Sequence, residues 1–109
     1  MSIRKGNVFY RGEHAGIIEE TDDGYRFTYD SQYIQSEAAQ PVSLTLPLQA
    51  EPFAEKQLFS FFDGLIPEGW LLDVAQKNWK LDPRDRMGLL LSCCKETIGA
   101  VSVLRYEHE

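Results

Sequence analysis

Few residues of this chain belong to the types that perform catalysis or bind metal ions. The two histidines, His14 and His108, fall in a predicted turn and near the end of the sequence, and neither has a cysteine or carboxylate partner at metal-ligand spacing. The sequence contains no phosphate-binding glycine loop and no His-Glu-x-x-His, Cys-x-x-Cys or Gly-x-Ser-x-Gly pattern. We therefore predict no metal site, no cofactor and no catalytic residue, and expect a protein that is not an enzyme.

The thiols and the paired carboxylates have simpler explanations than catalysis. Cys93 and Cys94 are adjacent, and a disulfide between neighbours would close a strained ring without joining distant segments, so we expect two reduced thiols in the core. Lys95 is the one cation beside Cys93 in the sequence, which is weak support for a reactive thiolate. The acidic pairs at 19–20 and 22–23 are expected to form a solvated hairpin rim rather than an acid/base pair.

Composition limits the classes of partner. The chain has 109 residues, 11 of them Lys or Arg and 17 Asp or Glu, for a net charge of −6. This length predicts a single domain, 1–109, with a modest core. The negative charge argues against direct nucleic-acid binding, which needs a cationic face. It suits docking onto a basic protein, and it also suits a surface that merely keeps a small protein soluble.

No feature of the sequence indicates a membrane or an export signal. No apolar run approaches the roughly 18 residues that a membrane span needs. Met1–Lys5 leads directly into polar residues rather than into an apolar leader segment. Together with the reduced thiols, this predicts a cytoplasmic protein without a membrane partner.

The first third of the sequence predicts a three-stranded antiparallel meander. Strands are expected at Val8–Tyr10, Ala15–Glu20 and Tyr25–Tyr29, and in the third of these aromatic and polar residues alternate strictly. The first turn is Arg11–His14. The second is Thr21–Gly24, in which Asp-Gly supplies the positive φ angles of a tight hairpin turn.

The remainder is predicted to be mostly helical. Asp30 or Ser31 caps a short helix, and residues 41–48, PVSLTLPL, form a short strand that its prolines place near a sheet edge. Three further helices are expected at 52–63, Pro67–Lys80 and 83–94, the last of them with Asp82 as its N-cap and Pro83 as its first residue. A closing strand is expected at Ala100–Leu104. The predicted class is α+β, a small mixed or antiparallel sheet with about three helices packed on it.

The helix predicted at Pro67–Lys80 has too many large apolar residues for one face. At about 100° per residue, its core-facing stripe is formed by Leu71, Leu72, Ala75 and Trp79. Trp70 and Val74 lie on the opposite side. An exposed tryptophan is costly in water and is a frequent interface hot spot, so this side is predicted to bind a partner.

Trp70 is the predicted anchor of that partner-binding surface, and Gly69 before it lets a partner approach closely. The other predicted contact residues adjoin Trp70 in the sequence or on the same helix face: Glu68, Asp73, Val74 and Lys77. The alternative is that Trp70 folds back under Phe61 and Phe62 or under the Leu65-Ile66 turn and belongs to the core.

Several segments resemble the N-terminal subdomain of HipA-type toxin kinases. Residues 61–70, FFDGLIPEGW, resemble the hallmark of that subdomain, residues 41–48 its PxSLSLPL strand, and residues 98–103, IGAVSV, its closing strand. Val8–Ile17, with Gly12 and Gly16, is similar to its first hairpin. The resemblance covers nearly the whole chain in the order of the family, and as a set these segments are specific.

The resemblance implies a binding role rather than a catalytic one. HipA-type kinases carry their ATP loop, catalytic Asp and metal-binding Asp after this subdomain, so no kinase residue has a counterpart here. A small protein of this form is similar to the HipS component of HipBST-type toxin–antitoxin systems. That similarity implies an antitoxin for a HipT-like kinase, in a complex with a HipB-like helix-turn-helix DNA-binding protein. The alternative is a detached structural subdomain of a HipA-type kinase, against which the start at Met1 and the polar ending 106–109 argue mildly.

Overall fold

A computed structural model describes residues 4–66, 85–93 and 100–106. Within these ranges the strands are β1 (Lys5–Tyr10), β2 (Glu13–Thr21), β3 (Gly24–Tyr29), β4 (Phe53–Glu55) and β5 (Val101–Arg105). The helices are α1 (Ser31–Gln35), α2 (Ser60–Asp63) and α3 (Arg86–Cys93). The predicted α+β class is confirmed.

The strands form one antiparallel sheet in the order β4-β3-β2-β1-β5. The predicted meander is its centre, and β5 pairs with β1 so that Val103 lies opposite Val8. The last described strand therefore lies beside the first, and sheet formation brings the two ends of the described chain together.

The two hairpin turns of the meander obtain their geometry differently. Arg11 (φ 52°) and Gly12 (φ 85°) both have positive φ, the combination that best matches the twist of the flanking strands. In the second hairpin Thr21 pairs with Gly24, so Asp22 and Asp23 are the turn residues. In this hairpin Gly24 has positive φ, and Asp22 and Asp23 do not, since Arg11 of the first hairpin is the one non-glycine residue with positive φ among those described. The hairpin is confirmed, but Asp23 does not adopt the predicted conformation.

A β-bulge in β2 connects the meander to α1. Val8 pairs with Gly16 while Phe9 pairs with His14, so Ala15 is the extra residue. Its carbonyl accepts a hydrogen bond from Asp30 N (2.8 Å). The Asp30 side chain in turn accepts one from Tyr33 N, which confirms the predicted N-cap.

The core lies between one face of the sheet and the helices. Gly6 permits this close packing, since a Cβ there would lie 2.6 Å from Leu91 Cδ2 and 2.9 Å from Val103 Cγ1. The largest fully buried side chains come from the strands and from α2 and α3: Phe27, Phe62, Ile18, Met87, Leu89, Leu90, Val8 and Val103.

Two predictions for the middle of the chain are wrong. Residues 41–48 form a loop with an isolated bridge between Ser43 and Leu46 instead of a strand. The helix predicted from residue 52 is replaced by β4 and the four-residue α2. The reason is tertiary: the free edge of β3 pairs with this segment, which places Phe53 opposite Phe27 with their rings stacked at 6.4 Å.

Helix α3 begins later than predicted. The Asp85 carboxylate accepts from Gly88 N (3.1 Å) and its carbonyl from Leu89 N (3.0 Å), so Asp85 occupies the capping position. Asp82 and Pro83, the predicted cap and first residue, lie outside the described residues, as does the helix predicted at Pro67–Lys80. Among the described helices, none has the length and apolar character required to cross a membrane.

Candidate functional site

The predicted partner-binding surface lies outside the described part of the structure. This applies to every residue assigned to it: Glu68, Gly69, Trp70, Asp73, Val74 and Lys77. It applies equally to Trp79, Cys94 and His108. The role of Trp70 as an anchor therefore remains a prediction, and the structure bears on it through the residues at either end of the undescribed segment.

The described residues that precede position 67 and follow position 84 are held in the fold. On one side Phe62 is fully buried, with its ring 5.3 Å from that of Phe27, and Ile66 is buried as well. On the other side Arg86 Nε donates to Asp63 Oδ1 at 2.6 Å, which joins the start of α3 to the end of α2. The chain therefore leaves and re-enters the described fold at neighbouring elements.

Arg4 joins the start of the described chain to β2 and α3. Its guanidinium donates to both oxygens of Glu20 (2.8 and 3.0 Å) and to both oxygens of Asp85 (2.8 and 2.9 Å). The hydrogen bond to Asp85 makes the largest contribution to raising the pKa of Arg4, and the hydrogen bond to Glu20 makes the second largest. The hydrogen bonds from Arg4 in turn hold the pKa of Asp85 below its usual value. With all of these donors and acceptors engaged, the cluster is structural.

The described residues give no geometry for catalysis at His14. This residue lies in β2 rather than in the predicted turn, with Nε2 2.9 Å from Asn7 Oδ1 and Nδ1 3.8 Å from Asp30 Oδ1. Glu19, on the same strand, accepts from Arg26 Nε at 2.9 Å. No group of three possible metal ligands occurs within the described ranges.

Two tyrosines fix the loop that follows α1. Tyr29 OH accepts from Val42 N (3.0 Å) and donates to the carbonyl of Leu46. Tyr33 OH accepts from Gln40 N (3.1 Å) and donates to Gln40 O (2.6 Å). Burial raises the pKa of Tyr29, so its hydroxyl stays protonated and keeps both bonds.

Between these attachment points the chain makes a tight turn, Ser43–Leu46, which we call the Leu44 turn. Leu46 N donates to Ser43 O (3.0 Å), and Thr45 N donates to Ser43 Oγ (3.2 Å). The turn directs Leu44 into solvent, where it is 98% exposed. Val42 and Leu46 on either side are buried in the core.

A cavity of about 370 Å³ lies beside the Leu44 turn. Its lining comes from the turn, from β4 and from the chain leading into α2: Thr45, Leu46, Phe53, Ala54, Glu55, Gln57, Leu58, Phe59 and Ser60. Glu55 is the one ionisable side chain in this lining. The cavity thus combines apolar side chains with the polar Thr45, Gln57 and Ser60 and one acidic group.

The Leu44 turn is not predicted from the sequence, because the alternation in residues 41–48 predicts a strand. The prolines at 41 and 47 and the Ser43-x-Thr45 spacing were the available signals for a turn. The hydroxyl of Tyr29, which fixes both flanks of the turn, gives no sequence signal.

Comparison with known proteins gives one consistent result. A family model described as HipA N-terminal domain matches residues 6–104. An uncharacterized protein of Haemophilus influenzae is 34% identical over 101 residues, covering 93% of this chain and 92% of that protein. The "Putative kinase Y4mE" of Sinorhizobium fredii is 29% identical over 110 residues, and this chain spans 26% of its length. The solved structure titled "N-terminal domain of HipA toxin" matches with a TM-score of 0.74 at 28% identity, covering 98% of this chain and 96% of that one.

Proposed function

This chain belongs to the HipA N-terminal domain family, and from that premise we propose that it is an antitoxin. In this proposal it binds a HipA-like or HipT-like serine/threonine kinase in trans and neutralises it. It contributes no catalytic group of its own. Its cellular location is the cytoplasm, and a HipB-like DNA-binding protein belongs to the same complex.

The match covers nearly the whole of one relative but only a part of another, and this difference carries the proposal. The H. influenzae relative is covered to 92% by the match, whereas the S. fredii relative is covered to only 26%. A domain that packs against a kinase within one chain keeps its complementary surface when it is made separately. Binding then becomes bimolecular and depends on the concentration of both proteins, as control by an antitoxin requires.

The chemistry of the chain supports a docking role. A net charge of −6 favours encounter with a cationic surface, such as the nucleotide site of a kinase. We propose Trp70 as the anchor, with Val74, Glu68, Gly69, Asp73 and Lys77 around it. A large aromatic side chain placed at the kinase site, or between its lobes, would hold the kinase in an unproductive arrangement.

Co-expression tests the proposal. A HipA-family kinase from the same genome that lacks its own copy of this domain is expressed with and without the chain, and growth and co-purification are scored. The antitoxin proposal expects growth arrest by the kinase alone, rescue by the chain, and a stable complex. A catalytically inactive kinase serves as the control, because it should bind the chain without arresting growth. Absence of both rescue and complex would contradict the proposal.

A phosphotransfer assay separates the antitoxin from a detached structural subdomain. An antitoxin added to the purified kinase lowers its autophosphorylation in proportion to the complex formed. A structural subdomain completes the kinase fold and leaves autophosphorylation unchanged or raises it. Binding with undiminished kinase activity would therefore favour the structural role.

A further inference from the structure

Leu44 is the one large apolar side chain that the described residues leave fully in water. It is 98% exposed, while its neighbours Val42 and Leu46 are 6% and 3% exposed. A single exposed leucine is common on protein surfaces and by itself assigns nothing. The distinguishing property of Leu44 is that the backbone on both sides of it is fixed.

The Leu44 turn is preorganised. Its own hydrogen bonds close it across Ser43 and Leu46. Tyr29 OH bonds to Val42 N just before the turn and to Leu46 O at its end. The side chains of Val42 and Leu46 are inserted in the core. A partner that binds Leu44 therefore loses little free energy to ordering of this loop, which is the usual cost of binding through loops.

The surroundings of the turn combine apolar and polar side chains with negative charge. The cavity beside it, about 370 Å³, is lined by apolar residues such as Leu46 and Leu58 and by the polar Thr45, Gln57 and Ser60. Glu55 lies at this cavity, and Glu51 lies on the segment between the turn and β4. Both carboxylates are exposed, and no cation of the described residues pairs with either of them.

We propose that the Leu44 turn docks on the kinase core, as a second contact surface in addition to the one predicted around Trp70. Leu44 inserts into an apolar pocket of the kinase, and Lys or Arg side chains on the rim of that pocket face Glu51 and Glu55. This inference rests on the proposed antitoxin function. A second copy of this chain is a poor occupant, because two molecules of charge −6 would bring like charges together.

Calorimetric titration of the purified kinase, again one that lacks its own copy of this domain, tests the inference. Leu44→Asp is expected to raise Kd by about tenfold or more, and Leu44→Ala by less, since burial of an aspartate in an apolar pocket is the costlier change. Arg105→Gln is the matched control: it makes the same change of one charge unit on β5, at the opposite edge of the sheet, and should leave Kd unchanged. The melting temperature of the Leu44 variants should equal that of the wild type, because the side chain is 98% exposed.

Charge at the rim is tested separately by Glu55→Lys. This reversal should slow association with the kinase, and the difference from the wild type should shrink as salt is added. An association rate equal to that of the wild type at low salt would exclude a cationic rim.

The possible results separate this inference from the antitoxin proposal. If the wild type binds and Leu44→Asp binds equally well, the docking surface is wrong and the antitoxin proposal stands. If the wild type does not bind the kinase, both are overturned. If sedimentation shows that the chain alone dimerises and that Leu44→Asp abolishes the dimer, the occupant is a second copy and the inference is wrong.

Discussion

At the scale of single residues, two tryptophans of one predicted helix are expected to behave in opposite ways. Trp70→Ala should weaken kinase binding by about 2–4 kcal/mol and change folding stability by less than about 1 kcal/mol, because Trp70 is predicted to face the partner. Trp79→Ala should cost roughly 3–5 kcal/mol of folding free energy, because Trp79 lies on the predicted core stripe. Thermal melting and growth rescue measured on both variants test the pair.

Each tryptophan variant is the control for the other. If Trp70→Ala melts as early as Trp79→Ala, Trp70 belongs to the core, as in the alternative in which it folds back under Phe61 and Phe62. If Trp70→Ala rescues growth as well as the wild type, it is not the anchor.

At the scale of elements, the Tyr29 hydroxyl is expected to hold the 41–48 loop on the sheet. Tyr29→Phe removes the partner of two backbone groups, Val42 N and Leu46 O, whose residues are buried. Leaving such groups unpaired costs about 1–3 kcal/mol, and we expect a loss of folding stability in that range. Urea denaturation of the variant and the wild type measures it.

Tyr25→Phe is the matched control for Tyr29→Phe, because it removes a tyrosine hydroxyl from the same strand. Tyr25 lies on the same strand and is half-buried, but its hydroxyl makes no hydrogen bond with the described residues. Its removal should change stability by less than about 0.5 kcal/mol. Equal losses for the two variants would show that the two hydrogen bonds of the Tyr29 hydroxyl do not stabilise the fold.

At the scale of the whole molecule, the Arg4–Asp85 pair joins residues that are 81 positions apart in the sequence. Arg4 holds the pKa of Asp85 below its ordinary value. A lowered carboxyl pKa contributes stability above the pKa of the unfolded chain, about 3.9, and that stability is lost as the pH falls through the folded pKa. The stabilisation should therefore be complete at neutral pH and disappear in acid below about pH 4.

Asp85→Asn tests this dependence, since asparagine also caps helices and only the charge is removed. The variant should be less stable than the wild type by about 1 kcal/mol or less at neutral pH, because both side chains are partly exposed (29% and 40%). The difference should shrink below about pH 4 in urea denaturation at several pH values. Glu55→Gln, which removes an exposed carboxylate unpaired among the described residues, should show no such trend. A constant deficit for Asp85→Asn at every pH would mean that the charge of Asp85 is not what stabilises the fold.

The candidate site was predictable only in part. The angle of Trp70 on the predicted helix predicts that it faces a partner, and this assignment remains a prediction. The Leu44 turn was not predicted, because alternation of apolar residues is the same for a half-buried strand and for a loop whose side chains are alternately inserted and exposed. Long-range hydrogen bonds to Tyr29 decide between the two, and these have no signature in residues 41–48 themselves.

The sequence by itself determined the features that depend on neighbouring residues. The three strands of the meander, the positions of its two hairpins and the Asp30 cap follow from local sequence patterns, turn chemistry and a side chain that bonds a backbone N–H three residues on. These are confirmed, whereas the first turn is shorter than predicted and Asp23 lacks the predicted positive φ. Tertiary structure alone decided β4, whose three residues pair with the free edge of β3 where a helix was predicted. It also decided the cap at Asp85 and its link to Arg4. Such features arise only when distant segments meet, because the partner that stabilises them is supplied by the fold and not by adjacent residues.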